Sequence, residues 1–282
     1  MESESNLWSE RAVPSSGLNI VVCIKQVPAV QDMKIDPITH SLIRESMPSM
    51  LNPYDEIGVE EGIRLRERYG GEVTVITMGP MQAKDAILRC LAMGADRGIL
   101  ISDKALAGAD TVATAYTLQM QIKKMKYDII ICGKIAIDSE TGHIGPHLAG
   151  LLNIPQICYV KRVDVDIEQK RVIVHKETEE GIEIVEAPLP VLLTTTKGLN
   201  EPRLPTLRGM ISSKSKEIRV VNAQELGGSP SKYGLRGSPT FVEEVFLPPS
   251  RKSESIFQGD PKGTVENLVQ ALLNRKLIRS RS

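Results

Sequence analysis

Four short apolar runs, LNIVVCIK (18–25), EVTVITM (72–78), GILIS (98–102) and YDIIICG (127–133), are separated by segments of helical length. They are nearly continuous and rich in β-branched residues, the pattern of parallel strands buried on both faces. Parallel neighbours cannot be joined by a tight turn, so the intervening segments must carry the chain across as helices. An α/β fold with a doubly wound, mostly parallel sheet follows. Such sheets receive ligands at the carboxyl ends of their strands.

The helix signals are sharpest in NPYDEIGVEEGIRLRERYGG (52–71). Asn52 is a candidate N-cap, Pro53 suits the first helical position, and Asp55 with Glu56 complements the positive end of the dipole. Tyr54, Gly58, Gly62, Leu65 and Tyr69 recur every three or four residues and share one face. Two glycines on that face let the helix approach the sheet closely. A second helix is expected over MQAKDAILRCLAMG, and a third begins at Asp110, with Thr111, Ala115, Leu118 and Ile122 on one face.

After about residue 155 the pattern changes. QICYVKRVDVD, QKRVIVHKET, EIVEAP and PVLLTTT alternate or run as strands with turn signals between them, an antiparallel excursion over about 156–196. The Pro-rich loops TKGLNEPRLPTLRG and GGSPSKYGLRGSPTF follow, then a last helical pattern, GTVENLVQALLNRKL. The expected organisation is an N-terminal extension over 1–17, a nucleotide-binding domain over 18–210, and a C-terminal arm over 211–282.

Several function classes are disfavoured. Thirty-five basic residues balance 35 acidic ones, so no global field attracts nucleic acid or an anionic membrane. Residues 1–17 hold the single Trp, Trp8, and are polar and acid-bearing, unlike a secretory signal or organellar transit peptide; they read as a flexible extension or a small docking arm. The closing Arg-Ser-Arg-Ser reads as a tail or a cloning remnant. No apolar run of about 18 residues is present, so direct membrane insertion is not expected. Cys23, Cys90, Cys132 and Cys158 contain no CxxC pair and read as reduced core cysteines of a cytoplasmic protein. A GxGxxG after the first strand, a Walker A motif and a recognisable Ser/His/Asp or Cys/His constellation are all missing. His143 and His147 are four apart, but the Gly145-Pro146 between them argues against one continuous helix and a metal pair.

Candidate ligand-binding features gather at one edge: Cys23 to Lys25, Asn52, Met78-Gly79-Pro80, Asp110-Thr111, and GKIAIDSETGHIGPHL (133–148). In the last, Gly133 ends a strand and Gly145-Pro146 opens a helix. A helix N-terminus carries free N–H groups and partial positive charge, a seat for phosphate; Thr141 adds a hydroxyl. Asn52 and Asp110 read equally well as plain caps. Their concentration at one edge favours a nucleotide.

The runs IVVCIKQVP, NPYDEIGVEEGIRLRE, LAMGADRGI, GKIAIDSETGHIGP and KGLNEPRLPTL occur in an order that resembles the β subunit of electron-transfer flavoproteins, and VHKETEEGIEIVEAPLPVLLT (174–194) resembles that family's signature segment. The resemblance implies a Rossmann-like nucleotide-binding domain in a heterodimer with an α subunit that carries the electron-transferring FAD. It places nucleotide contacts at Cys23, Asn52, Pro53, Tyr54, Asp55, Met78 and the loop from Ala136 to His147, which includes Ile137, Asp138, Ser139, Thr141, Gly142, His143, Ile144, Gly145 and Pro146. Asp110, Thr111, Thr114 and Gly133 complete the expected cradle.

The loop AIDSETGHIGP further resembles the bifurcating subfamily, with Asp138, Thr141, Ile144, Gly145 and Pro146 matching its Asp-x-x-Thr-x-x-Val-Gly-Pro pattern, Ile for Val. Lys134-Ile135 departs from the Arg-Gln common there. Bifurcating members bind a second FAD reached by NADH. Electrons then go to a dehydrogenase or quinone-linked flavoprotein and to a low-potential, ferredoxin-type acceptor. Leu199 and Asn200 fall in the family's partner-recognition loop. NADH oxidation is expected only with the α subunit. The alternatives are a conventional electron carrier with structural AMP, and a nucleotide-binding regulatory protein of the same fold.

Overall fold

The computed structural model describes residues 17–29, 48–243 and 256–279. The expected N-terminal extension, with Trp8, lies outside the described residues apart from Gly17, as do the last three residues of the chain. Two compact units divide the chain, Met1–Glu243 and Glu244–Ser282.

The first unit is built on a nine-stranded sheet. Its parallel part contains β1 (Leu18–Cys23), β4 (Gly71–Met78), β5 (Arg97–Ile101), β6 (Ile129–Gly133), β10 (Val191–Thr195) and β11 (Ile218–Val221). An antiparallel set, β7 (Gln156–Asp166), β8 (Arg171–Thr178) and β9 (Gly181–Pro188), extends one side, in the order β11-β5-β4-β1-β6-β10-β7-β8-β9. From β1 the chain steps outward to β4 and β5, then returns to place β6 on the other side of β1. The crevice between the carboxyl ends of β1 and β6 is therefore the topological switch point, where a doubly wound sheet takes its ligand.

Alternation along β1 assigns each layer its core. Ile20 and Val22 face the side packed by α1 (Pro53–Tyr69) and α2 (Lys84–Met93), with Ile63, Ile87, Leu91 and Ile131. Val21 and Cys23 face the side packed by α3 (Thr111–Ile122) and α4 (Ile144–Leu152), with Leu118, Ile122, Ile130 and Leu148. The expected close approach of α1 is present: a Cβ at Gly58 would lie 3.0 Å from Ile131 Cγ2, and one at Gly62 3.2 Å from Val22 Cγ2.

The antiparallel excursion covers 156–188 rather than the expected 156–196: PVLLTTT becomes β10, which runs parallel to both β6 and β7, and β7 shifts register at a bulge while it stays in the sheet. Tyr159 adopts φ +60°, and the register shifts where β7 leaves β10 and takes up β8. Beyond the bulge β7 lies against the end of α1, where Arg68 pairs with Asp164 at 2.9 Å and Val165 N donates to Tyr69 Oη.

Three features had no sequence signal. A short antiparallel pair, β2 (Gln26–Pro28) with β3 (Ser49–Leu51), leads from β1 to α1. β11 adds a parallel edge strand beside β5, so the sheet continues past residue 210 and residues 211–243 belong to the first unit. The short helices α5 (Leu207–Ser213) and α6 (Ala223–Leu226) flank it. In the second unit, α7 (Pro261–Asn274) is capped by Asp260, which accepts from Gly263 N. None of its residues is buried, and Val265, Leu268 and Val269 are exposed. Among the described residues no helix is long and apolar enough to cross a membrane.

Candidate nucleotide site

The switch point is braced by side chains at the start of α1. Asn52 occupies the N-cap position but makes no side-chain cap. Fully buried, it spans the following loop instead: Nδ2 donates to Ile135 O at 2.9 Å, and Oδ1 accepts from Ile137 N at 3.2 Å. Asp55 ties the two strand ends together, since Oδ2 accepts from Lys25 N at 2.7 Å and Oδ1 from Gly133 N at 3.1 Å. Gly133 is required here, because a Cβ would sit 2.3 Å from Asp55 Oδ1. Burial pushes the Asp55 carboxyl up to about 7, although hydrogen bonds from Asn52, Lys25 and Gly133 oppose it.

The loop from Lys134 to His143 is braced from three more sides. Lys25 Nζ pairs with Asp138 Oδ1 at 2.7 Å. Lys134 N donates to Thr195 O, and its ammonium lies 5.3 Å from the centroid of the Tyr54 ring. Thr195 Oγ1 in turn donates to Tyr54 O at 2.9 Å. Ser139 and Thr141 remain exposed on this braced loop, and Gly142 turns it at φ +67°. Ala136 and Ile137 lie under the Asn52 amide, with Ile137 partly turned to solvent.

α4 then begins at Ile144, with Gly145 buried and Pro146 in the first turn. Proline is tolerated there because first-turn N–H groups have no intrahelical partner. The Gly-Pro therefore does not separate His143 from His147: His147 N donates to His143 O at 3.0 Å, and the two rings lie tilted with centroids 5.5 Å apart. Among the described residues no group of three or more His, Cys, Asp or Glu could hold a metal ion. His147 Nδ1 is buried without a hydrogen-bond partner at the start of this helix. An orphaned polar atom, two exposed hydroxyls and a helix N-terminus together suit the phosphate and hydroxyl groups of a nucleotide.

The remaining predicted contacts are placed differently. Met78, half-buried, ends β4, and Gly79 N donates to Ile101 O beside it. Asp110 caps α3 through Oδ1 to Val112 N and Ala113 N, while Oδ2 accepts from Thr240 N and Oγ1. Burial opposes ionisation, but the donors from Ala113, Thr240 and Val112 hold this carboxyl below the usual range. Its side chain is thus committed to the chain itself. Thr111 and Thr114 stand half-buried in the same first turn. Lys25 and Lys134, inside the candidate stretches, serve as braces, and Thr195 braces the site without having stood out in the sequence as a site residue.

The loop after β10 is anchored to α1. Asn200 is buried, with Nδ2 donating to Ile57 O at 3.1 Å and Glu61 Oε2 at 2.9 Å. Burial first of all raises the Glu61 carboxyl. Arg203 reaches Glu60 and Glu67 at 2.8 and 2.6 Å. Leu199 is half-buried and packs on the core, less exposed than its Gly-, Asn- and Pro-rich surroundings suggested.

A family model described as electron transfer flavoprotein domain matches residues 39–226. The electron transfer flavoprotein β subunit of Thermoanaerobacterium thermosaccharolyticum is 47% identical, over 93% of this chain and the whole of that protein. The chain belongs to the electron transfer flavoprotein β-subunit family. The β subunit of Megasphaera elsdenii is 40% identical and subunit CarD of the caffeyl-CoA reductase–Etf complex of Acetobacterium woodii 41%, each over 93% of this chain and all of its own length. In this electron transfer flavoprotein β-family chain, the braced loop and α4 lie at the carboxyl-end edge where doubly wound sheets take ligands.

Proposed function

We propose that this chain is the β subunit of a heterodimeric electron-transfer flavoprotein, pairs with an α subunit, and binds FAD at the switch point to accept electrons from NADH for bifurcation. The observation that supports it best is the loop 133–147. Its AIDSETGHIGP sequence resembles the bifurcating pattern, and its exposed Thr141, first turn of α4 and unpartnered His147 Nδ1 offer groups for phosphate and ribityl oxygens. The proposed contacts are Cys23, Pro53, Tyr54, Met78, Thr111, Thr114 and the loop from Ala136 to Pro146. Asn52, Asp55 and Asp110 serve by positioning backbone.

When bound, FAD supplies two-electron chemistry toward a hydride donor and one-electron chemistry toward acceptors. The residues of the chain bind and orient. Lys25 neutralises Asp138, so the loop presents little net negative charge to a phosphate. The Asn52 clamp fixes the loop before ligand arrives, which lowers the ordering cost of binding. The likeness to CarD supports a CoA-thioester-linked dehydrogenase as one partner; a quinone-linked flavoprotein and a ferredoxin-type protein are the other acceptors in this reading.

The test is the nucleotide content of the purified αβ complex. Two flavins per heterodimer and NADH oxidation are expected. Thr141→Ala should lose the β flavin first, because one donor to a charged phosphate contributes about 1–3 kcal/mol, and should lose NADH-driven reduction while the α flavin still accepts electrons from dithionite. One FAD with one AMP and no NADH oxidation would replace this reading with the conventional carrier.

A further inference from the structure

Cys23 ends β1, Cys132 is the penultimate residue of β6, and the two stand opposite each other in the parallel register. Both are free thiols buried in the core beneath α3 and α4. Neighbouring strands run about 4.8 Å apart, inside the Cα separation of about 4.4–6.8 Å that a disulfide spans. Registered side chains on parallel strands project from the same face, so the two thiols are neighbours across the strand pair. The neighbouring Cys23 thiol, and then burial, hold the Cys132 thiol well above the usual range.

Their position ties them to the site above. Asp55 bridges the same two strand ends from the opposite face, through Lys25 N two residues past Cys23 and Gly133 N directly after Cys132. The first turn of α4 rests on this floor, since a Cβ at Gly145 would lie 3.7 Å from Cys132 Cβ and 2.7 Å from Thr194 Cγ2. Cys90 stands on α2 and lies in the core on the other face of the sheet.

We propose that Cys23 and Cys132 form a reversible dithiol–disulfide site, with hydrogen peroxide as its two-electron oxidant, whose closure loosens the seat of α4 and weakens nucleotide binding. In the first step one sulfur gives an electron pair to peroxide, the O–O bond breaks, and a sulfenic acid and one water result. The second thiol then attacks that sulfur; the S–S bond forms, the S–O bond breaks, and a second water leaves. Two thiols and one peroxide become one disulfide and two waters, and an added dithiol reverses the change by exchange. Closure draws Cys132 toward Cys23 and away from Thr194 and Gly145, which removes packing from under the helix that opens the loop. The nucleotide arm of this proposal rests on the proposed function; the thiol chemistry does not.

The full chain co-purified with its α subunit is treated with hydrogen peroxide, alkylated, digested and mapped by mass spectrometry. A peptide pair linking Cys23 to Cys132, short of two hydrogens and restored by dithiothreitol, is expected in the wild type and absent from Cys132→Ser. Bound nucleotide should fall several-fold on oxidation of the wild type and should not respond to peroxide in Cys132→Ser. Unlinked sulfinic or sulfonic acids, linkage to Cys90 or Cys158, or two thiols that stay alkylatable in the folded complex would each overturn the dithiol site. A linked pair with nucleotide content unchanged would overturn the gating. Wild-type mapping decides the chemistry even where the variant fails to fold, and a reduced complex without any nucleotide would refute the proposed function while leaving the mapping result to stand.

Discussion

Replacing Asp55 with Asn removes the charge from the centre of the switch point while keeping the shape of the side chain. Asp55 is 6% exposed, and burial raises its carboxyl from 3.8 to about 7. A folded-state value above the unfolded one means that folding favours the protonated acid. The stabilisation is complete below 3.8 and is lost as the pH rises through about 7. A shift of that size, from 3.8 to about 7, corresponds to about 4 kcal/mol over the whole window. Between pH ~5 and ~8 the loss is about 2–3 kcal/mol, roughly 5 °C in the thermal midpoint of a domain this large.

Asn carries no titrating group, so this slope disappears in the variant. Asn also accepts through one atom only, which leaves either Lys25 N or Gly133 N facing an amide donor at a cost of about 1–3 kcal/mol. Asp55→Asn should therefore be less stable than the wild type at pH ~5, and the two should converge toward pH ~8. Circular-dichroism melts of both proteins across that range give the difference directly, because other titrating groups contribute equally to each. Parallel curves would show that the carboxyl does not titrate in the folded protein.

Asn52→Ala leaves Ile135 O and Ile137 N without their partners, and nucleotide affinity measured by calorimetry should fall about tenfold or more for a loss of about 1–3 kcal/mol; unchanged affinity would remove the clamp from the site. Gly58→Ala places a methyl 3.0 Å from Ile131 Cγ2, and urea unfolding should show a loss of about 1–3 kcal/mol as α1 is forced off the sheet. Leu199→Ala should slow electron transfer to the partner dehydrogenase while dye-coupled NADH oxidation by the αβ complex continues, as for a single apolar anchor at an interface; equal loss of both activities would assign Leu199 to packing against the core alone.

The elements that follow from local physics are legible in the amino-acid sequence alone. Continuous β-branched runs mark β1, β4, β5 and β6 because a strand covered on both faces needs apolar residues at every position. Pro53, the first-turn acids and the paired glycines mark α1 because caps, dipoles and close approach act over a few residues. The 133–148 segment is legible as a ligand loop for the same reason, since its turn residues and helix opening are adjacent in the chain.

What the loop is attached to could be decided only by closure of the fold. Asn52 reads as a helix cap, yet its amide serves Ile135 and Ile137, more than 80 positions away. Asp55 reads as an acid for the helix dipole, yet it fastens Lys25 to Gly133. Asp110 is as good a cap as the sequence indicates, but its second oxygen holds Thr240, 130 positions on. Thr195 and Tyr54, 141 positions apart, and the edge strand β11 left no local trace at all. Periodicity and capping record energies exchanged among neighbours in the chain. A hydrogen bond across the switch point is chosen only once β6 has been laid beside β1, because the groups that satisfy a buried amide or carboxylate are whichever ones the packed sheet brings within reach.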